Sequence, residues 1–152
     1  MCGAMKTLDP EEQLGYLVAR VADRNSRGWL TALRQHDISP RQFSVLAHVV
    51  REPGLTQAEL ARRTMVTPQS MSELIATLLD AGLLSREAIQ PGRQAELEVT
   101  GLGKALLRKA YPVVEATNRE SFAALTGAER QLLGELLRKL LRGPRSKGGA
   151  AG

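Results

Sequence analysis

One cysteine and two histidines in 152 residues leave little from which to build a metal centre or a nucleophile–base pair. Cys2, His36 and His48 stand well apart, with no metal-ligand spacing. No glycine-rich phosphate loop follows a strand pattern either. These absences argue against an enzyme, and no cofactor is expected. No apolar run approaches the ~20 residues needed to cross a bilayer, so no membrane partner is expected. No signal peptide opens the chain, and a lone cysteine fits a reducing compartment, so a cytoplasmic setting is expected. Cys2 precedes the first helix signal, in a terminus expected to fray, which makes it a poor oxidant sensor. His36, beside Asp37 in a loop, is expected to be solvent-exposed.

A basic balance is present, 21 Lys and Arg against 16 Asp and Glu, and it favours nucleic acid as a partner. Its distribution complicates the inference. Residues 56–100 carry a net charge of −2, whereas residues 101–152 carry +6. Phosphate contacts need local cations rather than a positive average. Within the middle segment these are Arg62, Arg63, Arg86 and Arg93, so a modest salt dependence of binding is expected.

The most informative stretch is TQAELARRTMVTPQSMSELIATLLDAG, Thr56 to Gly82. Thr56 with Glu59 spells a capping box, and Thr67 before Pro68 spells a second helix start. The first helix is only about two turns long and needs packing to hold it. In the second, Met71, Leu74, Ile75, Leu78 and Leu79 recur at helical spacing and form the buried stripe. Gln69, Ser70, Ser72, Glu73 and Thr77 are left facing outward, and Gly82 ends the helix. Short polar side chains on a rod anchored by its other face suit a major-groove reader. A plain αα-hairpin would share the same punctuation.

The segment after Gly82 favours the reader. Leu83 to Ile89 is short and apolar-rich, Gln90-Pro91-Gly92 signals a turn, and Ala95 to Thr100 alternates with period two. Leu97 and Val99 fall on one face of that strand, Glu96 and Glu98 on the other. A helix-turn-helix followed by a hairpin makes a winged helix. Arg93 near the hairpin tip suits a narrow, electronegative minor groove, although a solvated turn arginine would look the same.

Taken together, LTQAELARR, MVTPQSMSELIATLLDAGLLSR and GRQAELEVTGLGKALL resemble the MarR family of winged helix-turn-helix regulators. The resemblance spans roughly residues 9–142. It implies a homodimeric transcription regulator, usually a repressor, that answers to a small molecule and has no enzymatic activity. Carried onto this chain, it implies that Gln69, Ser70, Ser72 and Thr77 read bases in the major groove. Thr67 caps the reading helix, while Gln57, Arg62, Arg63, Arg86 and Arg93 approach backbone or minor groove. It also implies an effector pocket between the dimer helices and the winged core, with Trp29, Phe43 and His48 as candidate lining residues. Each of the three would also serve as an ordinary core residue. Three departures from the family pattern stand out: Met65 in the turn where glycine is common, Glu73 where a basic or neutral side chain is common, and one wing arginine instead of an Asp-Arg-Arg triplet.

Flanking helices complete the expectation. Asp9-Pro10-Glu11-Glu12 reads as the start of a first helix running to about Leu33, with Leu14, Leu17, Val18 and Val21 on one face. Ser39 and Gln42 form a capping box for a helix whose apolar face is Phe43, Leu46, Ala47 and Val50. Pro112 should kink the helix that follows the wing. Thr126 and Glu129 cap a last helix bearing Leu132, Leu133, Leu136, Leu137, Leu140 and Leu141. That leucine stripe exceeds what a small core requires, and a two-fold dimer through Leu14, Leu17, Leu132, Leu136 and Leu140 would bury it. An intrachain helical bundle is the alternative.

The expected fold class is therefore mainly α with a small β-hairpin wing. It is a winged helix-turn-helix core (about residues 39–100) between dimerisation helices (about 10–35 and 101–142), followed by a disordered tail (143–152). The expected partners are double-stranded DNA, a second copy of the chain, and a small-molecule effector. The competing function is a dimeric ligand-binding or protein-interaction module with weakened DNA binding, a reading that the acidic balance of residues 56–100 supports.

Overall fold

A computed structural model describes residues 9–87 and 95–143. Arg93, the Gln90-Pro91-Gly92 turn, Cys2 and all of the tail beyond Gly143 lie outside the described residues. Among the described residues six α-helices and two strands follow in order: α1 Leu14–Arg34, α2 Pro40–Arg51, α3 Gln57–Arg63, α4 Pro68–Asp80, β1 Leu84–Glu87, β2 Glu96–Val99, α5 Gly101–Ser121 and α6 Gly127–Leu141.

Local chemistry sets most of these boundaries. Capping boxes close the starts of α2 (Ser39 with Gln42), α3 (Thr56 with Glu59) and α6 (Thr126 with Glu129). In each, two orphan backbone N–H groups are satisfied reciprocally. The chain's first helix signal is the exception. Asp9 does cap Pro10 and Glu11, but they form only a 3-10 turn, Pro10–Glu12. Gln13 is extended (φ −88°, ψ 118°), so the α-helix begins afresh at Leu14 without a side-chain cap. Pro112 lies inside α5, which remains helical through it.

The α3–α4 connection is a Schellman motif. The Val66 N–H donates to the Ala61 carbonyl at 3.0 Å and the Met65 N–H to the Arg62 carbonyl at 3.4 Å. Such a motif needs a left-handed residue after the cap, and Met65 supplies it at φ +55°. A second such turn ends α4, where the Leu83 N–H reaches the Leu78 carbonyl and Gly82 takes φ +69°.

The two strands pair antiparallel, Leu84 opposite Val99 and Arg86 opposite Leu97. Leu97 and Val99 are buried and Glu98 is exposed, as the alternation requires. Thr100 fastens this hairpin to its neighbours. Its hydroxyl accepts from the Gly103 N–H at 3.1 Å and donates to the Gly82 carbonyl at 2.6 Å. Gly103 sits so close beneath that a Cβ there would lie 2.4 Å from the Leu83 carbonyl oxygen.

One core joins these pieces. Leu60, Met71, Ile75 and Leu78 from α3 and α4 meet Val45, Leu46 and Val49 of α2, Leu33 of α1, and Leu107, Ala110 and Val114 of α5. The α2 face is wider than its sequence stripe: Val45 and Val49 are buried, while Val50 is 42% exposed. His36 also departs from expectation. It is half-buried, and its Nε2 is shielded from solvent with no hydrogen-bond partner among the described residues. The α6 helix buries none of its residues against the rest of the described chain.

Candidate nucleic-acid interface

The α4 helix is held by one face and open on the other. Met71, Ile75 and Leu78 are at most 1% exposed, and Leu74 and Leu79 pack at the margins. Gln69, Ser70, Ser72, Glu73 and Thr77 are all exposed. Alternation at helical spacing thus sorts the helix into an anchor and a polar outer face.

Its leading end is ordered by hydroxyls. The Thr67 Oγ1 accepts from the Ser70 N–H at 3.1 Å and donates to the Ser70 Oγ at 3.0 Å. Gln57, the first residue of α3, donates its side-chain amide to the Ser72 hydroxyl. The short helix and the polar face of α4 are therefore linked by side chains as well as by the turn. Thr77, further along, donates its hydroxyl to the Glu73 carbonyl at 2.9 Å. Its methyl group is left as the freer part for an outside contact. Gln69 makes no side-chain hydrogen bond among the described residues and presents a free amide, the group that pairs bidentately with adenine.

The arginines divide. Arg62 and Arg86 are exposed. Arg63 is engaged: its guanidinium takes Glu52 in a two-pronged ion pair, at 2.6 and 3.1 Å. That pair ties the end of α3 to the C-cap of α2. The hydrogen bond from Arg63 holds the Glu52 carboxyl below its ordinary pKa. Sequence reasoning placed Arg63 near backbone or minor groove and missed Glu52, because eleven residues separate the two and no helical spacing relates them.

Two of the three candidate pocket residues are in contact. Trp29 and Phe43 meet edge to face with ring centroids 6.0 Å apart, and Tyr111 meets Phe43 similarly at 5.6 Å. The Trp29 indole N–H donates to the Asn118 side-chain oxygen at 2.9 Å. Phe43 is 4% exposed and is a core residue. His48 stands elsewhere on α2, five residues on and so about 140° around the helix. Burial depresses its pKa first, and the nearby Arg63 depresses it further. An imidazole disfavoured as a cation is a weaker partner for an acidic group than an unperturbed one. Tyr111 and Asn118 come from α5 and were not legible as neighbours of Phe43 and Trp29 respectively. A cleft of about 510 Å³ lies elsewhere, between the α2–α3 loop and the hairpin, lined by Gly54, Thr56, Gln57, Arg86 and Glu96 among others. It includes none of Trp29, Phe43 or His48.

The chain is similar to known proteins in sequence and in fold. The family model described as "MarR family" matches residues 36–95. The HTH-type transcriptional repressor Rv2887 of Mycobacterium tuberculosis is 34% identical over 134 residues, which is 88% of this chain and 96% of the relative. Its crystal structure in complex with salicylic acid superposes with a TM-score of 0.73 at 35% identity, covering 84% of this chain and 96% of that one. Its crystal structure in complex with DNA gives a TM-score of 0.68 at 33% identity, covering 84% and 97%.

Proposed function

Because this chain belongs to the MarR family, we propose that it is a ligand-responsive repressor of transcription, binding an inverted-repeat operator as a homodimer. The observation that carries this reading is the α4 face. Gln69, Ser70, Ser72 and Thr77 stand exposed on a helix whose opposite side is buried almost completely. Thr67 caps that helix, and Gln57 steadies Ser72 from α3. Arg62 and Arg86, with Arg93 of the wing, supply positive charge to backbone or minor groove. Arg63 contributes only if Glu52 releases it. DNA readers of this kind do no bond chemistry, and the protein would act on the chromosome, in the cytoplasm.

Homodimerisation has its own support. Leu132, Leu136 and Leu140 are 55%, 49% and 71% exposed, and Leu14 is 79% exposed. A helix that leaves such a stripe open in a single chain is completed by a partner, and a second copy brings the same surface by symmetry. Residues 9–142 then form one unit, with the reading core (about 39–100) carried between pairing helices (about 10–35 and 101–142). Two α4 helices about 34 Å apart meet successive turns of one DNA face.

The Rv2887 structures were solved with salicylic and p-aminosalicylic acid. An aromatic carboxylic acid is accordingly the effector class proposed, with Trp29, its partner Asn118, and the Phe43–Tyr111 pair beside it as the candidate site. A second reading, a dimeric ligand-binding or interaction module with weak DNA affinity, is favoured by the net charge of −2 across residues 56–100 and by the capture of Arg63. A mobility-shift assay on DNA from upstream of the protein's own gene separates the two. Repression predicts a discrete complex that Arg93→Ala weakens and salicylate dissolves. Absence of any complex at micromolar protein would contradict it and favour the module.

A further inference from the structure

Glu73 is an acid in the middle of the exposed polar face of α4, and no contact among the described residues accounts for it. It is the sixth residue of α4, past the first turn, so the positive end of the helix dipole does not explain a carboxylate there. It is not the capping-box acid, since that third helical position is Ser70. Its neighbours three and four residues away are Gln69, Ser70, Ala76 and Thr77, none of them a cation. Among the described residues its carboxylate makes no hydrogen bond or ion pair, and the side chain is exposed. The α4 helix itself carries no Lys or Arg. A free carboxylate held against a polyanion is unfavourable unless it meets a donor.

We propose that Glu73 is a specificity-determining residue that accepts a hydrogen bond from a cytosine amino group in the major groove. The inference rests on the chain's being a sequence-specific DNA reader, as proposed above. Two donors are exposed in that groove, the N4 amino group of cytosine and the N6 amino group of adenine. Adenine N6 lies beside the N7 acceptor, which repels the second carboxylate oxygen. On the cytosine ring, C5–H flanks N4 and offers no such repulsion. Cytosine is therefore the base the carboxylate selects. Gln69 stands one turn earlier on the same stripe, and four residues of helix advance ~6 Å. At 3.4 Å per base pair this is about two steps. The cytosine should lie about two base pairs from the position read by Gln69, once in each half-site.

Selection from randomised duplexes, followed by binding titrations, tests this with the intact protein. Wild-type protein should enrich one cytosine per half-site and prefer C·G over T·A there by roughly 5- to 150-fold. Glu73→Gln should shrink that preference below about threefold and leave the Gln69 position unchanged. Unrelated DNA should at the same time bind Glu73→Gln more tightly, because a negative charge has gone. Since Glu73 is exposed, an unchanged thermal midpoint should show that the variant is folded. An unchanged preference profile in Glu73→Gln, with affinity raised equally on all duplexes, would overturn the assignment and leave the DNA-reading function standing. If wild-type protein enriched no sequence at all, the Gln69 position included, both would fall together.

Discussion

Met65 occupies the left-handed region at φ +55° and is 87% exposed, so its side chain recovers little by packing. A left-handed conformation costs a non-glycine residue roughly 1–2 kcal/mol, while glycine adds roughly 0.4–1 kcal/mol of unfolded-chain entropy. The difference favours glycine. Met65→Gly should stabilise the fold by roughly 0.5–1 kcal/mol, read as a higher urea midpoint at unchanged slope. A lower midpoint would mean that the methionine makes contacts worth more than its strain. His48 gives a second test at this scale. Burial and Arg63 lower its pKa in the folded chain, so the unfolded state binds the proton more readily. The sign follows: this contribution is complete above the ordinary histidine value of about 6.5 and fades as pH falls below it. His48→Gln should flatten the stability profile between about pH 7 and 5, and an unchanged profile would refute the attribution.

Packing between elements depends on a few close approaches, and Gly103 is the tightest of them. A Cβ there would lie 2.4 Å from the Leu83 carbonyl oxygen and 2.6 Å from a Val99 methyl group, one of them unyielding backbone. Gly103→Ala should cost about 1–3 kcal/mol by overpacking and displace the root of the hairpin. Chemical denaturation gives the cost, and a wild-type midpoint would contradict the packing described. The motif GRQAELEVTGLGKALL was visible in the sequence, but the crowding was not, because Leu83 and Gly103 meet only in three dimensions. Helix starts were legible for the opposite reason. Ser39 with Gln42, Thr56 with Glu59, and Thr126 with Glu129 act within four residues, so their spacing carries the whole interaction. Asp9 shows the limit of such signals: a correct cap opened a 3-10 turn and not α1. The α2 stripe named Val50 and omitted Val45 and Val49, because a helix packed on two sides buries more than one face. At the site, the outward set on α4 could be read from period alone. The Arg63–Glu52 pair and the Trp29–Asn118 bond, 89 residues apart, could not.

At the scale of the molecule, the decisive feature is an end helix without a home. Among the described residues no α6 side chain is fully buried, and Leu141 is 85% exposed while Leu136 is 49% exposed. Equilibrium sedimentation at micromolar concentration should return twice the 16.5 kDa chain mass. Leu136→Glu with Leu140→Glu should return the monomer and weaken operator binding, because two tethered reading helices gain from each other's attachment. A wild-type protein that sediments as a monomer would contradict the pairing surface. The reading surface is tested most directly by Gln69→Ala in an anisotropy titration against the operator and against an unrelated duplex at the same salt concentration. If the outer face of α4 reads bases, the substitution should cost ~1–3 kcal/mol on the operator, relax discrimination at one position, and leave the unrelated duplex unaffected. Equal affinities of the wild-type and substituted proteins for the operator would contradict it.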